Sequence, residues 1–298
     1  MIGLLGLGRM GGGMARRWRR AGLPVLAHDP DPGARAQAAK DGVAVAESLE
    51  ELLSRLPQPR NLWLMVPASA VEEALEALKP KLVPGDLVVD GGNSPYRQSQ
   101  RRGSELAALG VGFLDVGVSG GLWGEAEGYG LMVGGDRALM ERILPYLKAL
   151  APEGGLVHAG KLGAGHYAKM VHNGVEYALM EAYAEGIELL AAAHEELGLD
   201  PKAVVAAWRR GTIVRSFLLD RFAEVLEGDL EVEPFVADSG EGRWAVEEAL
   251  RRGLPAPALA QALFARWESQ GRASLRYRLL ALVRRAFGGH PVRRRDAD

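Results

Sequence analysis

Met1-Ile2-Gly3-Leu4-Leu5-Gly6-Leu7-Gly8-Arg9-Met10-Gly11 opens the chain, and its reading decides the fold. Met1–Leu7 is an apolar run of strand type. Gly6, Gly8 and Gly11 form a GxGxxG, a weak signal alone. Here it directly follows the apolar run and opens a helical pattern over residues 10–22, the context a dinucleotide-binding turn requires. The glycines permit a tight turn and let backbone approach a pyrophosphate at the helix N-terminus. Asp29 lies 21 residues after Gly8, at the end of the next apolar run, Pro24–His28. An acid there accepts hydrogen bonds from the ribose hydroxyls of NAD and repels a 2′-phosphate. Pro30-Asp31-Pro32 supplies no cation, so NAD is favoured over NADP, with Arg9 or Arg35 still able to reach a phosphate. The competing reading of Asp29 is a cap on the following turn.

Outward from this turn, short apolar runs alternate with amphipathic stretches. Asn61–Val66, Leu87–Asp90, Phe113–Val118 and Tyr129–Val133 read as further strands, with helical patterns over 33–41, 47–55, 70–79, 97–109 and 136–149. Such alternation implies βαβ units and a mostly parallel sheet buried on both faces. From Ala164 the strand signals cease. Ala164–Leu197 has no proline and reads as one helix of about 50 Å. The Gly-rich stretch Ala151–Gly165 reads as the boundary. The expected fold is therefore an α/β Rossmann-like domain over 1–163, which binds the dinucleotide, followed by an all-α domain over 164–298.

Composition narrows the function. The chain has 298 residues, a net charge of −2 and no cysteine. The near-even charge balance argues against a dedicated nucleic-acid binder. Disulfides, thiolate metal sites and a cysteine nucleophile are excluded. No apolar run reaches the roughly 18 residues of a membrane span, and the N-terminus lacks the cationic start of a secretory signal. A cytoplasmic location is the expectation. The charged tail, residues 293–298, reads as mobile.

The long helix carries a polar stripe. Lys169, His172, Asn173, Glu176 and Tyr177 fall at i, i+3, i+4, i+7 and i+8, on one face. Lys169 and Glu176 stand roughly 10 Å apart along the axis, too far for a direct ion pair. A solvated face is the bland reading, but His and Asn suit it poorly, and the stripe reads as the wall of a cleft. A desolvated lysine can serve as a neutral general base. His166 and His172 lack the i+4 partner a metal site needs, so no metal is expected. Two loops at strand C-terminal ends, Asp90-Gly91-Gly92-Asn93-Ser94-Pro95 and Val118-Ser119-Gly120-Gly121, offer backbone N–H groups that can hold a carboxylate. Taken singly, each reads equally well as an ordinary turn.

Together these stretches, with Val66-Pro67-Ala68, occur in the order seen in the 6-phosphogluconate dehydrogenase family, which the chain resembles over nearly its whole length. It looks like the short, NAD-preferring, decarboxylating form within the β-hydroxyacid dehydrogenases. The resemblance implies oxidative decarboxylation of 6-phosphogluconate to ribulose 5-phosphate and CO2. It implies that Gly6, Leu7, Gly8, Arg9, Met10, Gly11, Asp29, Val66, Pro67 and Ala68 line the cofactor site, and that Asn93 touches cofactor and substrate. Ser119, Gly120, Gly121, His172 and Asn173 would hold the carboxylate and hydroxyls. Lys169 resembles the general base and Glu176 the general acid. Tyr177 and Arg266 would bind the phosphate. Arg284 and His290, in a C-terminal signature, would reach the neighbouring subunit's active site, implying a homodimer or homotetramer.

One stretch departs from the longer form of the family, where Lys-Gly-Thr-Gly-Lys-Trp supplies phosphate ligands. This chain has Ser239-Gly240-Glu241-Gly242-Arg243-Trp244, losing a lysine and gaining an acid. Arg215 is the expected replacement cation. Two other readings compete: a non-decarboxylating β-hydroxyacid dehydrogenase of the 3-hydroxyisobutyrate dehydrogenase kind, and a non-catalytic dinucleotide-binding sensor.

Overall fold

The structure, a computed structural model, describes residues 1–269 and 275–292. The expectation for the tail, 293–298, lies outside the described residues. The chain divides into two compact units between Lys169 and Met170.

The first unit runs β1 (Ile2–Leu5), α1 (Arg9–Arg20), β2 (Val25–His28), α2 (Pro32–Lys40), β3 (Ala44–Val45), α3 (Leu49–Arg55), β4 (Asn61–Leu64), α4 (Val71–Leu78), β5 (Leu87–Asp90), α5 (Tyr96–Ala107), β6 (Gly112–Ser119), α6 (Gly124–Glu127), β7 (Gly130–Gly135), α7 (Arg137–Arg142), α8 (Leu144–Leu150) and β8 (Leu156–Gly160). The strands form one sheet in the order β3-β2-β1-β4-β5-β6-β7-β8. All neighbours are parallel except β6 and β7. Alternate strand residues face opposite layers, as the pleat requires. Ile2, Leu4, Trp63, Leu87 and Val89 pack with Met14, Trp18 and Leu147 of α1 and α8. Leu62, Leu64 and Val88 pack on the other face with Leu52, Leu75 and Leu106 of α3, α4 and α5.

The departures from expectation have local causes. β3 has two residues, too few for periodicity to show. β8 lies inside the stretch read as a boundary; its sequence, Leu-Val-His-Ala-Gly, is partly exposed along an edge and offers no apolar run. The helical pattern over 136–149 is two helices meeting at Ile143, because Pro145 has no N–H to continue the ladder.

The second unit continues the helix that begins before it. α9 (Ala164–Ala192) spans about 43 Å. It stops short of the expected Leu197: a separate turn, α10 (His194–Leu197), follows Ala193 and closes on Gly198 in the left-handed region. Then come α11 (Pro201–Trp208), α12 (Phe217–Leu226), α13 (Glu241–Arg252), α14 (Pro257–Glu268) and α15 (Leu275–Gly288). Tyr177, Met180, Ala184 and Ile187 line one stripe of α9 and pack with Phe222 of α12, Ala262 of α14 and Leu280 of α15. No described helix is long and apolar enough to cross a membrane.

Candidate active site

In the first unit the strand order reverses at β1 and β4, where ligands bind in open parallel sheets. Gly6 has φ near +100°, and a Cβ there would strike the Met65 carbonyl; one on Gly11 would strike the Gly6 carbonyl. The turn therefore needs glycine at both points. Gly8 has open space where a Cβ would stand, and the first turn of α1 holds no acid and no side-chain cap, so its N–H groups are offered outward. That cradle fits a pyrophosphate. Leu7, Arg9 and Met10 complete the turn, and Val66, Pro67 and Ala68 follow β4 beside it.

Asp29 caps the turn that follows it. Its two oxygens accept the Leu7 and Asp31 N–H groups at 2.7 and 2.9 Å, stitching the end of β2 to the Gly loop. Each oxygen retains a lone pair for a ribose hydroxyl. Arg35 is turned away from this position. It donates to the Asp29 and Pro30 carbonyls and pairs with Glu47 at 2.9 Å.

Asn93 is half-buried in the loop after β5. Ser94, next to it, points inward: its hydroxyl donates to Asp90 at 2.7 Å and accepts from Arg102 at 3.0 Å. Ser119, Gly120 and Gly121 follow β6, and the Gly120 carbonyl accepts the N–H groups of Trp123 and Gly124, tying the loop to α6. Arg16 of α1 grips α6 through a fork onto Glu125, at 2.8 and 2.5 Å. Tyr129 packs beneath the loop, its hydroxyl pushed up to about 12 by burial.

Asp115, fully buried on β6, accepts the N–H groups of Gly163 and His166 at 2.6 and 2.8 Å. It thereby caps the start of α9 from a neighbouring strand. Two residues on, Gly117 lets β6 approach the Lys169 side chain so closely that a Cβ would meet it at 2.5 Å. Lys169 itself is buried.

In the second unit, the His172 ring nitrogen lies 3.1 Å from the Asn173 amide oxygen and 3.8 Å from the Glu176 carboxylate. One residue on, Tyr177 enters a cationic cluster. The Arg266 guanidinium stacks 3.3 Å from the centre of the Tyr177 ring, and the Tyr177 hydroxyl meets Ser239 at 3.2 Å. Arg266 and Arg284 both donate to the Ala237 carbonyl, at 3.3 and 2.7 Å, and Arg284 also to Ser239 at 3.4 Å. Both arginines are buried, and neither forms an ion pair among the described residues. Burial holds the Arg266 guanidinium down at about 10, and the Arg284 charge lowers it further; Arg284 is lowered by burial as well. Two desolvated cations converging on one carbonyl are a receptor for an anion.

Several expectations are redistributed here. Arg215 is exposed and takes no part in this cluster. Asp238 is neutralised by Arg243 at 3.0 Å. Arg284, expected to serve a neighbouring subunit, is hydrogen-bonded within its own chain. His290 packs edge-on against Phe287, 6.4 Å between ring centres. Sequence reasoning passed over Arg102 and Asp115, and read Ser239 only as a departure from the family's phosphate-binding stretch. No group of three or more His, Cys, Asp or Glu able to hold a metal exists among the described residues.

Residues 1–157 match the NAD binding domain of 6-phosphogluconate dehydrogenase, and residues 165–283 match the 6-phosphogluconate dehydrogenase C-terminal domain. The chain belongs to the 6-phosphogluconate dehydrogenase family. Among its relatives, an NAD(+)-dependent, decarboxylating 6-phosphogluconate dehydrogenase of Haloferax volcanii is 43% identical over 302 residues, covering 99% of both chains. The Plasmodium falciparum 6-phosphogluconate dehydrogenase superposes with a TM-score of 0.82 at 30% identity, over 90% of this chain and 62% of that one. A 3-hydroxyisobutyrate dehydrogenase of Salmonella typhimurium gives 0.76 at 25% identity, over 93% and 98%. This chain thus has the length of the Haloferax form of the family, and the wider β-hydroxyacid dehydrogenase kinship extends to its fold.

Proposed function

We propose that this protein is the short, NAD-preferring form of decarboxylating 6-phosphogluconate dehydrogenase, a cytoplasmic homo-oligomer. The observation that carries the reading is the buried Arg266–Arg284 pair around Tyr177 and Ser239, beginning one residue beyond Glu176. It supports a phosphorylated sugar acid over the unphosphorylated acid of the alternative dehydrogenase, and a sensor would need neither this pocket nor the Lys169–Glu176 spacing.

Gly6–Gly11, Asp29, Val66–Ala68 and Asn93 hold the dinucleotide, which when bound accepts the hydride leaving C3 of the sugar acid. Ser119, Gly120, Gly121, His172 and Asn173 hold the substrate's carboxylate and hydroxyls. Arg266, Arg284 and Tyr177 hold its phosphate. Neutral Lys169 takes the proton of the C3 hydroxyl as the hydride departs. The 3-keto acid so formed loses CO2, its carbonyl receiving the electrons of the broken bond. The Lys169 ammonium stabilises the developing enolate oxygen and returns the proton. Glu176 then protonates C1 of the five-carbon enediol, giving ribulose 5-phosphate.

The test is reduced-dinucleotide formation together with CO2 release from 6-phosphogluconate, run with NAD and then NADP. NAD is expected to give at least about tenfold higher kcat/KM, since an acid at Asp29 disfavours the extra phosphate. Lys169→Ala should abolish both signals, and Glu176→Gln should slow enediol protonation more than hydride transfer. Near-wild-type turnover in Lys169→Ala removes the mechanism.

A further inference from the structure

The loops after β4 and β5 would flank the reacting carbon, and the regular structure between β4 and α4 is one short 3-10 turn, Ala68–Ala70. What holds them is one buried side chain on α5. Arg102 is 2% exposed. Its Nη1 donates to Ser94 at 3.0 Å and Asp90 at 3.5 Å, its Nη2 to Gln98 at 3.1 Å, and its Nε to Glu72 at 3.2 Å. Asp90, with no exposed surface, uses its second oxygen to accept the Gly92 N–H at 3.1 Å. Glu72 sits in the first turn of α4, immediately after the Val66–Ala70 turn. The two loops also touch directly: a Cβ on Gly92 would lie 2.7 Å from the Val66 carbonyl.

We infer that Arg102 is a positioning residue for hydride transfer: its guanidinium fork ties the Val66–Ala68 turn, through Glu72, to the Asn93 loop, through Asp90 and Ser94, and so sets the distance between the dinucleotide and the sugar acid. This rests on the reading that those two loops line the nicotinamide end of the site. Only arginine suits the place. Its five N–H donors lie in one plane and serve four acceptors at once, whereas lysine offers the charge without the fork. Ser94 is the keystone of the Asn93 side, since its hydroxyl donates to Asp90 and accepts from Arg102. Its role is to fix the residue beside it rather than to bind ligand. Because hydride transfer is steep in distance, a loop displaced by a fraction of an ångström slows the chemistry more than it weakens ground-state binding.

The experiment uses the full-length enzyme with Arg102→Lys and Ser94→Ala. Arg102→Lys keeps a cation beside buried Asp90, so it should melt within a few degrees of the parent, while deletion of the charge would leave that carboxylate unpaired. Four readouts are taken: melting temperature, NAD titrated calorimetrically without substrate, kcat and KM for 6-phosphogluconate, and the primary isotope effect with substrate deuterated at C3. Arg102→Lys is expected to weaken NAD about fivefold, to lower kcat about tenfold or more, and to enlarge the isotope effect as hydride transfer becomes rate-limiting. Ser94→Ala should follow the same pattern more mildly. A merely structural arginine would lower the folded fraction and leave the isotope effect and the NAD affinity of folded enzyme unchanged; that result in both variants overturns the inference. Parent enzyme that fails to oxidise 6-phosphogluconate overturns the substrate reading instead, and the NAD titration still decides the role of Arg102.

Discussion

Burial of the Arg266 guanidinium works against folding. The guanidinium is desolvated, shares the Ala237 carbonyl with Arg284, and stacks on the Tyr177 ring. Its value of about 10 lies below the 12.5 of a free arginine, so the folded chain binds this proton less tightly than the unfolded one, and the charge opposes folding throughout the neutral range. A bound dianion reverses that balance. Arg266→Met, which keeps an apolar body against Tyr177 and leaves Arg284 on the Ala237 carbonyl, should therefore preserve or raise the melting temperature of the ligand-free protein. It should also raise the KM for 6-phosphogluconate by roughly 10–100-fold, the loss of one charge-assisted contact. Thermal melts with and without 6-phosphogluconate check both halves, and a destabilised free protein with undiminished stabilisation by the ligand would refute the assignment.

At the scale of elements, α9 is held twice. Asp115 caps its first turn from β6, and along its length Glu181 faces α15. The Glu181 carboxyl is pushed up to about 7 by burial, against the opposing pull of Arg276 at 3.1 Å; Arg266 also lowers it, and Glu185 and Glu188 raise it. The folded value lies above the ordinary 4.5, so the folded chain holds this proton more tightly. The stabilisation is complete below about pH 4.5 and is lost as the pH rises through about 7. Glu181→Gln removes the titration. Its stability should be flatter across that window, and at pH 8 it should melt at least about 2 °C above the parent. Denaturant titrations at pH 5 and pH 8 give the measurement, and an unchanged pH slope would exclude Glu181 as the source.

For the molecule as a whole, α9 also presents an apolar stripe outward. Val171, Val175 and Leu179 recur every four residues and are 41%, 46% and 44% exposed. A run of this kind on a helix otherwise packed into a core supports the proposed homo-oligomer. Leu179→Arg should convert the assembly to monomer in light scattering. Because Arg284 bonds Ser239 within its own chain, the monomer should keep its affinity for 6-phosphogluconate; a monomer that loses that affinity would return Arg284 to the neighbouring subunit's site.

The Gly6–Gly11 turn, Asp29 at the end of the next strand, the alternation of strands and helices, and the Lys169–Tyr177 stripe were all legible in the linear chain. Each follows from local physics, in the φ freedom of glycine, the period of two in a strand and the 3.6 residues of a helical turn. β3 and β8 were not legible, because a two-residue strand and a polar edge strand carry no periodic signal. Nor were the partners of Arg102, Asp115 and Ser239, or the convergence of Arg266 with Arg284. A polar side chain's role depends on which groups share its burial, and those come from distant positions, 51 residues apart for Asp115 and His166 and 62 for Tyr177 and Ser239. Only folding brings them within reach, so the tertiary structure alone decided which charges stand exposed and which are desolvated and waiting for a ligand.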